Sequence, residues 1–159
     1  MFEKPGLITS VGQSSDIALV KVRLNTQLKL GLDVKQVAQA ADLAGVKTLV
    51  MVVGASTKGL GAAGLDMASE VERTTALIKA ARDKGIRILA LHTGGAPRRG
   101  KTSNDLITLV VSECDYVVVV AAGNKDKLFD TLAARRKTPV VEVPSVAAVG
   151  DAVKAVFGN

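Results

Sequence analysis

The chain has 159 residues, of which 48% are apolar and 23% charged, which is typical of a compact globular domain and excludes a disordered chain. Its formal net charge of +6 favours acidic ligands or surfaces. With no Trp, one Tyr, three Phe and no dense basic arm, the composition argues against a nucleic-acid partner and against a stacked flavin.

Neither a metal nor a cofactor is expected from the sequence. The lone Cys114 cannot form an internal disulfide and has no metal-ligand partners at useful spacing, so we expect a small buried hydrophobe. No stretch approaches the ~20 apolar residues of a membrane span, and residues 1–5 do not resemble a signal peptide.

Apolar stretches rich in β-branched residues predict strands. In chain order they are 7–11, a weaker 32–37, 47–53, 86–91, 116–121 and 140–143. The stretches within 47–53 and 116–121 do not alternate in polarity, which is typical of strands buried on both faces of a central parallel sheet.

Helical patterns separate these strands, and each begins near a residue that can cap a first turn. These capping residues are Ser15 or Asp16, Asp66, Thr102 or Ser103, Asn124, and Ser145. The helix that follows Asp66 carries an apolar face with Met67, Val71, Ile78 and Ala81 and ends near Gly85. The alternation predicts a single α/β domain over residues 1–159, a doubly wound three-layer sandwich with a mostly parallel sheet. By analogy we expect a flavodoxin-like or Rossmann-like strand order.

In such sheets a ligand binds at the carboxyl ends of the strands, near the point where the strand order reverses. Four glycine-containing loops leave these ends, at 12–16, 54–66, 92–105 and 122–125. Helix N-termini at the same edge add positive potential. We therefore expect a small-anion site with the following ligand-binding candidates: Gln13, Ser14, Ser56, Thr57, Lys58, His92, Arg98, Arg99, Asn124 and Lys125. The alternative is that tight turns and caps require these residue types regardless.

Two stretches match nucleotide-binding patterns outside the context that those patterns need. Residues 59–64 match G-x-G-x-x-G, but residues 55–58 separate them from the strand, and no acidic residue ends the next strand. We expect a flexible, close-packed loop there, a candidate lid. Residues 95–102 match G-x-x-x-x-G-K-[ST], but no predicted strand ends in the Asp that would hold Mg²⁺. Nucleotide hydrolysis is kept as an alternative.

Catalysis by a Ser–His dyad is a further alternative. Ser14 follows Gly12-Gln13 at the exit of the first strand, as the nucleophile does in esterases whose first block is Gly-Gln-Ser. His92, which is the only histidine, lies at another strand exit. Those esterases supply Asp and His near the C-terminus, where this chain has no His, so the dyad would be incomplete. Ser14 as a helix cap and His92 as a loop anchor are the structural alternatives.

Four segments together resemble one bacterial family of small α/β proteins, catalogued as a domain of unknown function. They are 8–14 (ITSVGQS), 53–64 (VGASTKGLGAAG), 91–100 (LHTGG followed by RRG) and 123–126 (GNKD). The resemblance covers nearly the whole chain and implies one α/β domain with no established activity to carry over. It also implies export behind an N-terminal signal, which this chain does not show, so a mature exported form and a cytoplasmic relative both stay open.

Besides nucleotide hydrolysis, three functions remain open at this point. The first is a non-enzymatic binding protein for a small anionic metabolite, a carboxylate or a phosphate ester, at the carboxyl ends of the strands. The second is an esterase-like hydrolase that uses Ser14 and His92. The third is an interaction module or a self-assembling homo-oligomer, whose basic run at 135–137 docks an acidic partner. A basic run of this kind is also typical of a solvated helix end.

Overall fold

A computed structural model describes residues 1–158 and contains a single six-stranded sheet. Its strands are β1 (Gly6–Val11), β2 (Asp33–Val34), β3 (Thr48–Val53), β4 (Arg87–His92), β5 (Tyr116–Val120) and β6 (Val140–Val143). They lie in the order β2-β1-β3-β4-β5-β6, and every neighbouring pair is parallel. The predicted parallel α/β sheet is therefore confirmed, and its first five strands have the order 2-1-3-4-5 of one common doubly wound sheet.

Helices cover both faces of the sheet. They are α1 (Asp16–Lys21), α2 (Thr57–Ala62), α3 (Met67–Asp83), α4 (Lys101–Val111), α5 (Leu128–Ala133) and α6 (Val146–Val156). The α1 helix continues without a break as a π-helical segment, Val22–Gln27. Among residues 1–158, no helix has the length and apolarity needed to cross a membrane.

The core consists of two apolar clusters, one on each face of the sheet. Side chains of α3, α4 and α5 pack on one face, and side chains of α1 and α6 pack on the other. In β3, Leu49 and Met51 belong to the first cluster, whereas Val50 and Val52 belong to the second. This explains the absence of polar alternation in that strand, since successive side chains point to opposite faces and both faces are covered.

The strand β2 is shorter than the predicted 32–37, because the chain beyond Val34 bonds to β1 differently. The hydroxyl of Thr9 donates to the carbonyl of Gln36 (3.2 Å) and accepts from the N–H of Ala38 (3.1 Å). Ser10 N–H also donates to the Gln36 carbonyl (3.2 Å). A buried hydroxyl thus replaces part of the regular ladder, which ends the strand early.

The predicted helix starts are confirmed where a side chain caps the helix and wrong where tertiary contacts take over. Asp66 accepts from the N–H of Ser69 (2.8 Å), and Ser145 accepts from the N–H of Ala148 (3.2 Å). The α4 helix instead begins at Lys101 after Gly100, without a side-chain cap, because the hydroxyl of Ser103 accepts from the N–H of Ala55.

Two further helix predictions need correction. The residue that precedes α5 is Lys127 in a left-handed conformation, although Asn124 still accepts from the N–H of Phe129 (3.2 Å) in the first turn. On α3, Val71 was expected in the apolar face but is 38% exposed. The buried face of that helix instead includes Glu70 and Arg73.

Residues 57–62 form the helix α2, which corrects the prediction of a flexible loop. Ser56 caps it, since its hydroxyl accepts from the N–H of Gly59 (3.0 Å). Gly59 lies directly against the loop that follows β1: a β-carbon at this position would stand 1.9 Å from the carbonyl oxygen of Gln13. At Gly61, in the same helix, no heavy atom comes within 4 Å of the corresponding position.

We predict opposite effects of alanine at these two glycines. Gly59→Ala should lower the free energy of unfolding by about 1–3 kcal/mol, because the methyl group would push the backbone of Gln13 aside. Gly61→Ala should raise it by about 0.5–1 kcal/mol, because alanine is favoured over glycine inside a helix and has free space here. Urea unfolding of both variants measures this, and equal effects would contradict the close contact.

Candidate functional site

A cavity of about 530 Å³ lies at the carboxyl ends of β1 and β3, next to the first turn of α1 and against α2. It is lined by Gln13, Ser14, Ser15, Ile17, Ala18, Gln36, Ser56, Lys58, Gly59, Ala62 and Arg98. Gln13 and Ser14 are almost completely buried and are called the floor; Lys58 and Arg98 are called the rim. The lining thus contains two cationic side chains, no carboxylate and no aromatic ring.

The cavity occupies the topological switch of the sheet. β2 and β3 flank β1 on opposite sides, so the loops that follow β1 and β3 meet at this edge. Their backbones bond to each other: Ser14 N–H donates to the Gly54 carbonyl (3.2 Å), and Ser56 N–H donates to the Gly12 carbonyl (2.9 Å). The pairing fixes the floor relative to the first turn of α2.

The first turn of α1 forms one wall of the cavity. Ser15, which precedes this helix, makes no capping hydrogen bond with its side chain. The N–H groups of a first helical turn have no partners within the helix, and they carry the positive end of its dipole. In this first turn, however, the N–H of Asp16 donates to Ser14 Oγ (3.4 Å) and the N–H of Ala18 donates to the Ser15 carbonyl (3.0 Å). The carboxylate of Asp16 also lies in this turn and opposes the helix dipole.

The carboxylate of Asp16 contacts one residue of the floor and one residue of the rim. The hydroxyl of Ser14 donates to Asp16 Oδ2 (2.8 Å), and Arg98 Nε lies 3.6 Å from the same oxygen. Glycine is needed beneath this group, because a β-carbon at Gly94 would stand 2.7 Å from Asp16 Oδ2 and 2.1 Å from Arg98 Cγ. The position of Arg98 over the end of β4 therefore depends on a residue without a side chain.

The adjacent residues Arg98 and Arg99 have different surroundings. Arg99 donates to Asn104 (2.8 Å), to the Gly123 carbonyl (2.7 Å) and to both carboxylate oxygens of Asp126 (2.9 and 2.7 Å). Hydrogen bonds from Arg99 lower the pKa of Asp126 to about 2. Arg98 makes one long bond to the Ala55 carbonyl (3.4 Å) besides the 3.6 Å contact with Asp16. Arg99 is thus a structural clamp, whereas Arg98 keeps donors for a ligand.

A buried ion pair supports the floor from below. Glu70 and Arg73 of α3 pair at 2.7 Å, and their side chains are 0% and 4% exposed. Glu70 Oε2 accepts from Gly12 N–H (2.8 Å) and from Gln13 Nε2 (3.0 Å). Arg73 donates to the carbonyls of Ser10 and Ala38 (2.9 Å to Ala38). One turn of α3 therefore holds the end of β1, the loop after it and the segment after β2.

Glu70 is ionised at neutral pH. Burial by itself would raise the pKa of its carboxyl, but hydrogen bonds from Arg73, Gln13 and Gly12 outweigh burial and hold the pKa below its ordinary value. An ionised carboxylate only accepts hydrogen bonds. Gln13 must therefore direct its amide nitrogen, not its oxygen, at Glu70.

Gln13 has an unusual backbone and an unpaired oxygen. Its φ of 61° lies in the left-handed region, which residues other than glycine rarely adopt. Its Nε2 bonds Glu70, the Ser10 carbonyl (3.4 Å) and the Gln36 carbonyl (3.3 Å), while its buried Oε1 has no hydrogen-bond partner. Strained, incompletely paired residues concentrate at functional sites.

His92 lies beside the cavity, not in its lining. Its ring is fully buried against Phe129 at a centroid distance of 5.2 Å, and a β-carbon at Gly123 would stand 2.8 Å from its Nδ1. Nε2 lies 3.1 Å from the carbonyl of Arg98, which assigns the proton to Nε2, and Nδ1 has no partner. Burial is the main reason that the pKa of His92 is lowered, so the ring is neutral.

The structure brings only some of the candidate residues together. Gln13, Ser14, Ser56, Lys58 and Arg98 line one cavity. Thr57 and Lys125 are exposed and lie outside the lining. His92, Arg99 and Asn124 form packing and hydrogen bonds beside the cavity, because the ends of β4 and β5 lie farther along the sheet than those of β1 and β3. Asn124, for example, donates to Asp130 (2.7 Å) and Glu142 (2.9 Å).

Sequence analysis missed Asp16 as a partner of Ser14 and Arg98, and it missed Gln36, Glu70 and Arg73. For the ion pair a signal existed. Residues 70, 73, 74, 77, 78 and 81 have the i, i+3, i+4, i+7 spacing of one helix face. Glu70 and Arg73 therefore share a face with Leu77 and Ala81, and a charged pair on an apolar face indicates a buried interaction.

The nucleotide-like pattern at 95–102 has a local structural explanation. Residues 96–98 form a 3₁₀ turn, and Lys101 pairs with Asp105 (2.8 Å) on the exposed side of α4 instead of reaching into the cavity.

Among residues 1–158, no group of three His, Cys, Asp or Glu side chains is placed to hold a metal ion. Cys114 is buried, and burial raises the pKa of its thiol to about 12.

The fold and the site together define a three-layer α/β protein with a basic cavity at its topological switch. The chain belongs to the family described as "Domain of unknown function (DUF6305)", whose match covers residues 3–157. The resemblance to an uncharacterised family is therefore confirmed. No curated protein matches this chain.

Among solved structures, the chain has a weak similarity to the truncated form of 3-deoxy-D-arabino-heptulosonate 7-phosphate synthase from Thermotoga maritima. The two share 15% sequence identity with a TM-score of 0.39, over 99% of this chain and 49% of the other. The chain thus spans about half the length of that structure.

The buried, neutral His92 predicts a definite pH dependence of stability. Because its pKa in the folded protein lies below the ordinary 6.5, the unfolded chain takes up the proton first as the pH falls. The free energy of unfolding should be at its full value above about pH 6.5 and decrease below it. Urea unfolding between pH 8 and pH 5 measures this.

His92→Gln is the matched control, because no other histidine titrates in this window. The variant should lose the decrease just below pH 6.5. A wild-type protein that becomes more stable as the pH falls through this range would contradict the neutral, buried ring.

Proposed function

We propose that this protein binds a small anionic metabolite, a carboxylate or a phosphate ester, in the cavity at the carboxyl ends of β1 and β3. The observation that carries the proposal is the pair of cations on the rim. Lys58 has no ion-pair partner among residues 1–158, and Arg98 keeps most of its donors unused. Arginine and lysine with free donors bind carboxylate and phosphate oxygens strongly.

The shape and surroundings of the cavity support a small, non-aromatic ligand. Its volume of about 530 Å³ lies within the range of ligand pockets. No aromatic side chain lines it, so a nucleobase would find no ring on which to stack.

The hydrolase alternative has less support. The hydroxyl of Ser14 donates to Asp16, and His92 Nε2 bonds the carbonyl of Arg98, so the two candidate residues bond to other groups and not to each other. A nucleophile and its base normally lie within hydrogen-bond reach. Binding without catalysis is therefore the function that we favour.

The interaction-module alternative also loses part of its basis. Of the basic run at 135–137, Arg136 directs its guanidinium at the carbonyls of Glu113 and Cys114 and lies 3.7 Å from Asp115. It stabilises the chain around the start of β5. Only Arg135 and Lys137 of that run remain for an acidic partner.

We predict that removing either rim cation weakens anion binding by about ten-fold or more, which corresponds to the loss of a charge-assisted hydrogen bond. The probes are inorganic phosphate, citrate, glycerol 3-phosphate, NAD, and ATP with Mg²⁺, screened by thermal shift and quantified by calorimetry. A ligand at about 100 times its Kd should add about 2.7 kcal/mol of stability. Lys58→Ala and Arg98→Ala are the test variants.

Lys125→Ala is the matched control, since Lys125 is an exposed cation at the same edge of the sheet but outside the cavity lining. It changes the net charge by the same amount and should leave Kd unchanged. Equal losses in all three variants would show a nonspecific charge effect, and saturable binding that survives Lys58→Ala with Arg98→Ala would refute the proposal.

A further inference from the structure

Two residues of the cavity floor, Gln13 and Ser14, carry acceptor oxygens, and hydrogen bonds to neighbouring groups fix the orientation of both side chains. The amide nitrogen of Gln13 is occupied by three acceptors, the Glu70 carboxylate and the carbonyls of Ser10 and Gln36. Because the amide group is planar, its oxygen points away from them, and this oxygen is buried without a partner. Glu70 accepts hydrogen bonds and cannot donate one when ionised, so the amide cannot turn over without facing an acceptor with an acceptor.

The side chain of Ser14, like that of Gln13, has an oxygen that can accept a hydrogen bond. Its hydroxyl donates to Asp16 Oδ2 (2.8 Å) and its oxygen accepts from the Asp16 N–H (3.4 Å), which leaves one lone pair that can only accept. Both floor residues thus donate to a carboxylate that does not line the cavity. The rim has the opposite polarity, since Lys58 and Arg98 are cationic donors.

From this arrangement we infer that the ligand is a small acid that carries a hydroxyl or amino group close to its anionic group. The anionic group would bind Lys58 and Arg98, and the hydroxyl or amino group would donate to Gln13 Oε1 and Ser14 Oγ. Glu70 is then a positioning residue, which acts on the ligand through Gln13. The inference rests on the proposed anion site and narrows its ligand class.

The energetic cost of the buried Glu70–Arg73 ion pair and of the Gln13 backbone conformation supports a role beyond folding. A buried ion pair contributes little net stability compared with apolar residues of the same size, because both charges lose their hydration. The left-handed backbone of Gln13 adds strain, and such strain persists only where the surrounding contacts fix it. Here Glu70 fixes it twice, through the Gly12 N–H and through the Gln13 amide.

Two matched pairs of probes test the inference on the unaltered protein. In each pair the two compounds have the same charge and differ by one hydroxyl group: malate with succinate, and glycerol 3-phosphate with 3-hydroxypropyl phosphate. Calorimetry gives their Kd values. We expect the more hydroxylated member of at least one pair to bind about ten-fold more tightly, since its additional hydroxyl pairs an acceptor that is otherwise unsatisfied.

Variants then test whether the floor residues cause the preference for the more hydroxylated compound. In Glu70→Gln the nearest of the three acceptors that orient the Gln13 amide can also donate, which leaves only the Ser10 and Gln36 carbonyls to hold the amide, so the ratio of the two Kd values should fall. Gln13→Met, which removes the amide while keeping the length of the side chain, gives a second route to the same loss. Lys58→Ala is the control, because it should weaken both members of a pair by the same factor and leave their ratio unchanged.

The outcomes separate this inference from the proposed function. Tight binding of both members of each pair with equal Kd values would overturn the inference and leave the anion site standing. A preference that persists in both Glu70→Gln and Gln13→Met would also overturn it. Absence of binding for all four probes and for inorganic phosphate would overturn the inference together with the proposed function.

Discussion

The carboxylate of Glu70, buried with Arg73 under the end of β1, is the contact on which the geometry of the cavity depends. Its oxygen receives a backbone N–H from Gly12 and the side-chain amide of Gln13, while Arg73 binds the carbonyls of Ser10 and Ala38. Removing two charges from water is unfavourable, and such a pair is stable only when its remaining lone pairs and protons find partners. Here those partners are backbone and side-chain groups of segments that meet at the topological switch.

The sequence predicts the fold well because its strongest signals are local. The strand β3 shows no polar alternation because it is buried on both faces. Asp66 and Ser145 cap their helices because their side chains bond N–H groups only three residues away. The predictions were wrong where a side chain bonds a distant segment instead. Ser103 bonds the N–H of Ala55 and does not cap α4, and the hydroxyl of Thr9 replaces part of the β2 ladder. Sequence patterns contain no information about such distant partners.

The structure has a cavity at the edge of the sheet where the sequence predicts a site, but which residues line this cavity depends on contacts that sequence spacing does not reveal. Arg98 and Arg99 are neighbours of the same residue type, yet Arg99 uses its guanidinium on Asn104, Gly123 and Asp126. Arg98 extends over the glycine at 94 towards the cavity. Glu70 could have been found from its position on the apolar face of α3. The partner of that carboxylate, the N–H of Gly12, lies 58 positions earlier in the chain and could not have been found from the sequence.

Two of the three glycines in the pattern at 59–64 have separate structural causes and the third has none, which explains how a nucleotide pattern can arise without a nucleotide. Gly59 is required because the carbonyl of Gln13 occupies the space of its side chain, and Gly64 has a φ of 73° at the turn after α2. Gly61 meets neither condition. In a dinucleotide fold such glycines bring backbone close to a pyrophosphate; here the same freedom brings α2 close to the loop after β1. The close approach that a phosphate would exploit is already occupied by the protein's own chain. The anion binding that we propose would therefore depend on two side chains, Lys58 and Arg98, instead of on a glycine-rich backbone cradle.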